Sequence, residues 1–252
     1  QAMSFSSFKK PFEERIENWN NALGTISEVI EEWLKVQRNW LYLQPIFDSA
    51  DINKQLPTEG KRFTTVDKNW RQTLAAAKAK SSALEFCNNA KLLEKFHESN
   101  LLLDLVQKGL ADYLETKRGS FSRFYFLSNE ELLEILSETK DPTKVQPHLK
   151  KCFEAIKTVH FEGNGDISSM NSSEGENVTF SDMVVTKNNN VEDWMNGVEI
   201  QMKESVKRVM YDSIVDYATT PRGEWMQRWP GMCVLNGSQV HWTTEMEAGM
   251  DK

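Results

Sequence analysis

The chain has little cysteine, no long apolar run and no surplus of basic residues, and each absence removes a class of function. Cys87, Cys152 and Cys233 are the three cysteines in 252 residues. A secreted framework held by disulfides carries more of them, in even number, so the pattern points to a reducing compartment. No apolar stretch approaches the roughly 18 residues that cross a bilayer, and no basic-then-apolar leader opens the sequence. The sequons Asn171-Ser172-Ser173, Asn177-Val178-Thr179 and Asn236-Gly237-Ser238 therefore read as chance matches. The formal net charge is −7, so a basic face for nucleic acid is not expected.

Nucleotide and metal chemistry are missing as well. No G-x-x-x-x-G-K-[ST] and no G-x-G-x-x-G occurs, so no backbone cradle for phosphates is encoded. Gly163-Asn164-Gly165 reads as a turn between strands. His97, His148, His160 and His241 lack metal-ligand spacing, and there is no Cys-x-x-Cys. Glu13-Glu14, Glu31-Glu32 and Glu130-Glu131 are neighbours on helices. Adjacent helical residues do not converge on one substrate, so a solvated face is the plainer reading. Lys9-Lys10, Lys117-Arg118 and Lys150-Lys151 lie near helix ends, where a cation meets the helix dipole favourably. No catalytic residue, no cofactor-binding residue and no metal site is expected.

What is present is material for packed helices. The 8 Trp and 13 Phe are too many aromatics for a disordered chain. Over 12–43 a stripe runs through Ile16, Trp19, Leu23, Ile26, Ile30, Trp33, Gln37 and Trp40 in steps of three and four, one face of a helix roughly 45 Å long. Pro45 is expected to end it. Gln37 is the one polar residue on the stripe and reads as a surface or interface amide. A second helix is predicted over about 58–88, with Phe63, Val66, Trp70, Leu74, Ala77, Ser81 and Leu84 inward. A third covers about 90–118, with Leu92, Phe96, Leu103, Val106, Leu110 and Tyr113 or Leu114 inward. Phe121 to Leu127 lacks helical spacing and reads as a short extended segment in a core. Ser128 with Glu131 is a capping box, and Asp141-Pro142 opens a further helix with Val145, Leu149, Cys152 or Phe153, and Ile156 inward.

The β signal lies between 158 and 186. Val159 to Phe161 is a short strand candidate. Ile167 to Met170 and Val178 to Val185 flank a Gly-containing turn and read as a hairpin. A long helix then runs over about 191–218 through Trp194, Val198, Met202, Val206 or Ser205, Met210, Ile214 and Tyr217, and a last one over about 231–250. The expected fold is mainly α: an elongated array of antiparallel helix bundles with one small β-hairpin element. Its parts are a helical bundle over 1–157, with the extended aromatic segment near 121–127, the hairpin element over 158–186, and a helical part over 187–252. The chain opens without an initiator Met and its final pattern runs to the end, so a piece of a larger protein is expected.

Several ordered words carry a resemblance. Trp33-Leu34-Lys35-Val36-Gln37-Arg38-Asn39-Trp40-Leu41-Tyr42-Leu43-Gln44-Pro45-Ile46-Phe47 resembles the linker signature of dynein heavy chains. Gln55-Leu56-Pro57, Arg62-Phe63, Val66-Asp67 and Lys108-Gly109-Leu110 through Tyr113-Leu114 follow in the family's order. So do Arg123 to Ser128, Glu131 to Leu136, Gln146 to Phe153 and Ser173 to Glu176. The likeness covers about 28–248, and 216–224 departs from it. Asp51-Ile52, Val66 to Arg71 and Trp225 to Gly231 look more like ciliary than cytoplasmic heavy chains.

The resemblance implies a mechanical linker, a lever that bends and straightens over a ring of AAA+ modules and drives the microtubule power stroke. ATP and Mg would belong to that ring, not to this stretch. The implied partners are the ring of the same heavy chain, microtubules through the parent motor, and dynein accessory chains, with no nucleic acid and no membrane. The implied location is the cytoplasm and cytoskeleton, in the axoneme of a cilium or flagellum. Ser173, Glu174, Gly175 and Glu176 would form a ring-facing hairpin tip. Lys187, Asn188, Asn189, Asn190 and Val191 would form a flexing junction. A solvent-exposed turn is the plainer alternative for the tip, and Arg123 to Phe126 with Trp33 and Trp40 are assigned to core packing. The alternative function is a non-catalytic helical scaffold or interaction module of a cytoskeletal assembly.

Overall fold

The computed structural model describes residues 3–80, 82–137 and 141–250. Its helices are α1 (Glu13–Phe47), α2 (Ala50–Gln55), α3 (Pro57–Ala79), α4 (Ala83–Cys87), α5 (Ala90–Ser120), α6 (Asn129–Ser137), α7 (Gln146–Cys152), α8 (Val191–Asp216), α9 (Arg222–Arg228) and α10 (Gly231–Met250). Between α7 and α8 lie the strands β1 (Thr158–Phe161), β2 (Ile167–Asn171) and β3 (Asn177–Val184). The fold is mainly α with a small β element, as expected. The chain divides into two compact units, Gln1–Tyr113 and Leu114–Lys252.

The first unit is built on rings. Trp33 of α1 meets Trp70 of α3 at 5.7 Å between centroids, Phe86 of α4 at 5.9 Å and Phe96 of α5 at 5.4 Å. Edge-on and tilted pairs of this kind add attraction beyond the area they bury. Trp40 donates its indole N–H to Asp67 Oδ1 at 2.9 Å, and the Arg71 guanidinium, bonded to the same carboxylate, lies over the Trp40 ring. The buried face of α1 is turned one position from the expected stripe. Ile26, Val29, Val36, Leu43 and Phe47 are buried, while Trp19, Leu23, Ile30 and Gln37 are exposed. Steps of three and four can be drawn through Val36 as easily as through Gln37, and only the partner helices choose between them.

Two predicted boundaries move. Pro45 lies inside α1, which continues to Phe47. So near the C-terminus a proline deletes a single helical bond, and the Asp48 N–H still reaches the Gln44 carbonyl at 3.0 Å. Phe47 then stacks on Phe63 at 5.2 Å, which holds the last turn in place. The single helix predicted over 58–88 is instead α3 and α4, with Lys80 and Ser82 both out of helical conformation. Leu74 and Leu84 of its stripe are exposed, and Ser81 lies outside the described residues. α5 follows its predicted face: Leu92, Phe96, Leu103, Val106, Leu110 and Leu114 are buried.

In the second unit, 121–127 is not extended. Ser122–Phe126 is a 3-10 turn, and Phe121, Phe124 and Leu127 are buried at a spacing of three, the period of that helix. Tyr125 and Phe126 are 57% and 68% exposed, so the core role expected for 123–126 falls to Phe124 alone among its aromatics. Arg123 works as a clamp: it pairs with Glu199 at 3.2 Å, donates to the Cys152 carbonyl and covers the Phe153 ring. The predicted capping box is present, with Ser128 N–H on Glu131 Oε2 at 3.1 Å and Glu131 N–H on Ser128 Oγ at 3.3 Å.

The three strands form one antiparallel sheet in the order β1-β2-β3. Side chains from neighbouring helices take up some of its outer backbone groups. The Gln146 amide both donates to the Val159 carbonyl at 2.6 Å and accepts from the Val159 N–H at 3.1 Å, closing the β1 edge. β3 is irregular between Thr179 and Val184. There α8 satisfies it: Ser181 N–H donates to Ser205 Oγ, Asp182 N–H to Gln201 Oε1, and Arg208 donates to the Thr179 carbonyl. Gly197 permits this closeness, since a Cβ there would lie 2.9 Å from Val184 Cγ1.

Candidate functional site

The residues singled out as tip and junction are the two turns that bracket β3. The tip follows β2 directly, with Asn171 paired to Asn177. Its loop is organised by Ser172, whose Oγ accepts from the N–H groups of Glu174 and Glu176, both at 3.2 Å. Ser172 N–H donates to the Glu176 carbonyl at 2.9 Å, and Gly175 sits at φ +91°, a conformation a side chain would strain. Ser173, Glu174 and Gly175 are exposed. Glu176 is half-buried and turned inward: its Oε1 accepts from the Gly231 N–H, the first residue of α10, at 2.6 Å. The tip is therefore not uniform. One carboxylate faces solvent and the other is used within the fold.

The junction is a bonded turn. Asn188 takes φ +63°, a region that Asn tolerates better than most residues. The Asn189 N–H reaches the Thr186 carbonyl at 3.2 Å, and the Asn189 amide donates to the Val185 carbonyl at 2.8 Å. Thr186 ties the turn to the β1–β2 loop through its Oγ1, which donates to the Gly165 carbonyl at 2.9 Å. Lys187 to Asn190 are exposed, whereas Val191 is buried and seats α8.

Beside Val191 lies a charge pair that pattern reading missed. Lys117, near the end of α5, donates to Glu192 Oε1 with both side chains largely shielded from solvent. Glu192 Oε2 is buried with no hydrogen-bond partner among the described residues. A sequence offers only a Glu in the first turn of a helix here. That is what a helix dipole favours anyway, so nothing local marks it as the end of a tertiary tie. The Asn196 amide adds a second link to α5 by donating to the Ser120 carbonyl at 3.0 Å.

Burial pushes the Cys152 thiol up to about 12 and raises those of Cys87 and Cys233, so all three stay protonated and weakly nucleophilic near neutrality. Among the described residues no group of His, Cys, Asp and Glu could hold a metal ion. No described helix is long and apolar enough to cross a membrane.

Comparison with known proteins gives the family. The family model described as dynein heavy chain, N-terminal region 2 matches residues 1–213. Dynein axonemal heavy chain 1 of Homo sapiens is 49% identical over 251 residues, covering 100% of this chain and 6% of that protein. Dynein axonemal heavy chain 12 of Homo sapiens is 48% identical over 249 residues, 98% of this chain and 8% of that protein. Dynein axonemal heavy chain 3 of Mus musculus is 45% identical over 252 residues, 99% of this chain and 6% of that protein. The chain thus spans a small fraction of the length of these relatives, and it belongs to the dynein heavy chain family, in the stretch called N-terminal region 2.

Proposed function

We propose that this chain is a mechanical linker element of an axonemal dynein heavy chain. It acts as a lever whose bending and straightening over the AAA+ ring is coupled to ATP hydrolysis elsewhere in the heavy chain, and it thereby drives the microtubule power stroke. The observation that supports this most is the likeness to axonemal heavy chains over the full fragment, at 49% identity to one of them. The architecture suits the role. A lever must resist bending along its elements, and α1 and α5 are long helices stiffened by aromatic and apolar packing. It must also yield somewhere, and element ends are where backbone torsions can absorb motion.

In this reading the fragment turns over no substrate. ATP and Mg act in the ring, the ring of the same heavy chain is the direct partner, and microtubules are reached through the parent motor. Accessory chains are further partners, and the setting is the axoneme of a cilium or flagellum. Ser173, Glu174 and Gly175 face the ring, with Glu176 supporting them from within. Lys187 to Asn190 flex against Val191, which stays seated. The test is Asn189→Pro in the full-length motor. Proline removes the N–H that holds Thr186 and drives Asn188 out of its left-handed conformation. Microtubule gliding should slow while ATP turnover persists. Gliding at the parental speed would overturn the reading of this turn as the flexing point.

A further inference from the structure

Beneath the Glu176–Gly231 contact lies a cavity of about 540 Å³ whose lining includes Met170, Met202, Val206, Met210, Met232 and Cys233. Its walls come from residues 155–156, β2, the hairpin tip, the start of β3, α8 and the first turn of α10. At its edge Glu176, which lines the cavity, accepts a hydrogen bond from the Gly231 N–H, between residues 55 apart in sequence. Two features make that bond more than an incidental surface contact. α10 begins after Pro230, a residue with no side-chain group to cap the helix, so its first N–H groups depend on outside acceptors. Glu176 supplies a carboxylate at that end, where the helix dipole favours negative charge. In addition, the Glu176 backbone is fixed by Ser172 on both its N–H and its carbonyl side, so the carboxylate is aimed by a rigid loop.

We infer that Glu176 is a latch: the hairpin tip caps α10 in trans, pins the first turn of α10 against the methionine-lined cavity so that Cys233 stays covered, and makes the tip and the start of α10 move together. Methionine walls suit such a device, because unbranched flexible side chains repack as the cavity changes shape. The inference stands whether or not the tip faces a ring. It also separates the two acidic residues of the tip. Glu174 is free to meet something outside, and Glu176 transmits whatever displaces the tip into α10.

The chain carries its own reporter. Cys233 lines the cavity and is 2% exposed, so its alkylation reads how often the latch opens. In the whole heavy chain, iodoacetamide labelling is followed peptide by peptide by mass spectrometry. Glu176 also raises the Cys233 thiol pKa by its charge, after burial itself. Removing the charge would therefore speed labelling without any opening. Gly231→Pro avoids this: it deletes the donor, keeps the carboxylate, and puts proline where a helix accepts it best. It should speed Cys233 labelling by about tenfold, the size of a lost hydrogen bond to a charged group, while Cys152 keeps its rate. Glu176→Ala should raise the limiting rate at high pH by a similar factor, Glu176→Gln by less, and Glu174→Ala not at all. An unchanged Cys233 rate in Gly231→Pro overturns the latch. So does an equal rise at Cys152, which would mean general loosening, or a rise in Glu174→Ala, which would assign the effect to the tip as a whole.

Discussion

The two units of the chain differ in the balance between aromatic packing and polar ties. Up to Tyr113 rings and apolar side chains predominate: Trp33 meets Trp70 and Phe86 edge-on and Phe96 at a tilt, and Phe47 stacks on Phe63, with polar ties at Trp40–Asp67, Lys95–Thr73 and Asn100–Glu32 beside them. From Leu114 onward, side chains reach across elements to backbone or charge. Gln146 holds β1, Lys117 holds Glu192, Asn196 holds Ser120, Glu176 holds Gly231, and the buried Trp225 indole N–H donates to the Ser213 carbonyl at 2.7 Å. Apolar packing is non-directional and tolerates small slips, whereas a polar tie is either made or leaves a stranded group. The first unit should therefore degrade gradually under substitution, and the second should fail at particular bonds.

The largest effect is expected at Lys117. Lys117→Met keeps the volume of the stem but leaves Glu192, 8% exposed at its side chain, without its cation. Stranding one member of a shielded pair costs about 3 to 5 kcal/mol. Hydrogen exchange resolved by peptide should show lost protection at the start of α8 and little change in α1 and α3. The double variant Lys117→Met with Glu192→Leu should recover most of it. A single variant as stable as the parent would show that the pair does not distinguish the second unit.

A matched pair of indoles sharpens the contrast. Trp70 and Trp225 are both buried, but the Trp70 Nε1–H has no partner among the described residues, while that of Trp225 is bonded. Phenylalanine leaves a similar gap at either site. At Trp225 it also removes one of the two hydrogen bonds that the Ser213 carbonyl accepts, the other coming from the Tyr217 N–H at 3.2 Å; at Trp70 it removes an unsatisfied donor. Trp225→Phe should be the more costly by about 1 kcal/mol in denaturant unfolding, the net worth of one hydrogen bond. Equal losses would mean that volume alone governs both sites.

The same contrast explains what the sequence could and could not tell. The inward line of α5 was legible because a long helix packed along one face writes its period into the chain. The capping box at Ser128 and Glu131 was legible because both ends lie within one turn. On α1 the period was right but its phase was off by one residue, since the choice between Val36 and Gln37 belongs to the helices that pack against it. The tip and junction were visible as turns through Gly175 and the run Asn188 to Asn190. What was hidden is how each is tied down. Gln146 to Val159, Glu176 to Gly231 and Lys117 to Glu192 join residues 13, 55 and 75 apart. A tie across such distances leaves no local pattern to read. The 3-10 turn at Ser122–Phe126 was misread for a related reason: a spacing of three over so few residues looks like no regular structure.

Acid should separate the units by the smallest margin. In the second unit the Lys151 ammonium and the Ser128 N–H hold Glu131 below its ordinary value, the Thr143 hydroxyl and N–H do so for Asp141, and Lys203 with Arg123 for Glu199. The Thr220 hydroxyl and the Trp229 indole N–H do the same for Asp216 at the α8–α9 corner. In the first unit Glu32 is lowered by Lys35 and Asn100. A carboxylate with a depressed folded value takes up its proton more readily in the unfolded chain. Its stabilisation is therefore complete above the unfolded value, near about 4, and is lost as pH falls through the folded one. Asp141 is exposed and the other four lie half-buried at the surface, so each contributes little and salt screens it. Between neutrality and about pH 5 neither unit should change. Below that, α6 and the α8–α9 corner should lose hydrogen-exchange protection before α1 and α3, and high salt should narrow the gap. Simultaneous loss would mean that the acidic ties of the second unit carry no more weight than Glu32, leaving its distinctness to the neutral bonds at Gln146, Asn196 and Trp225.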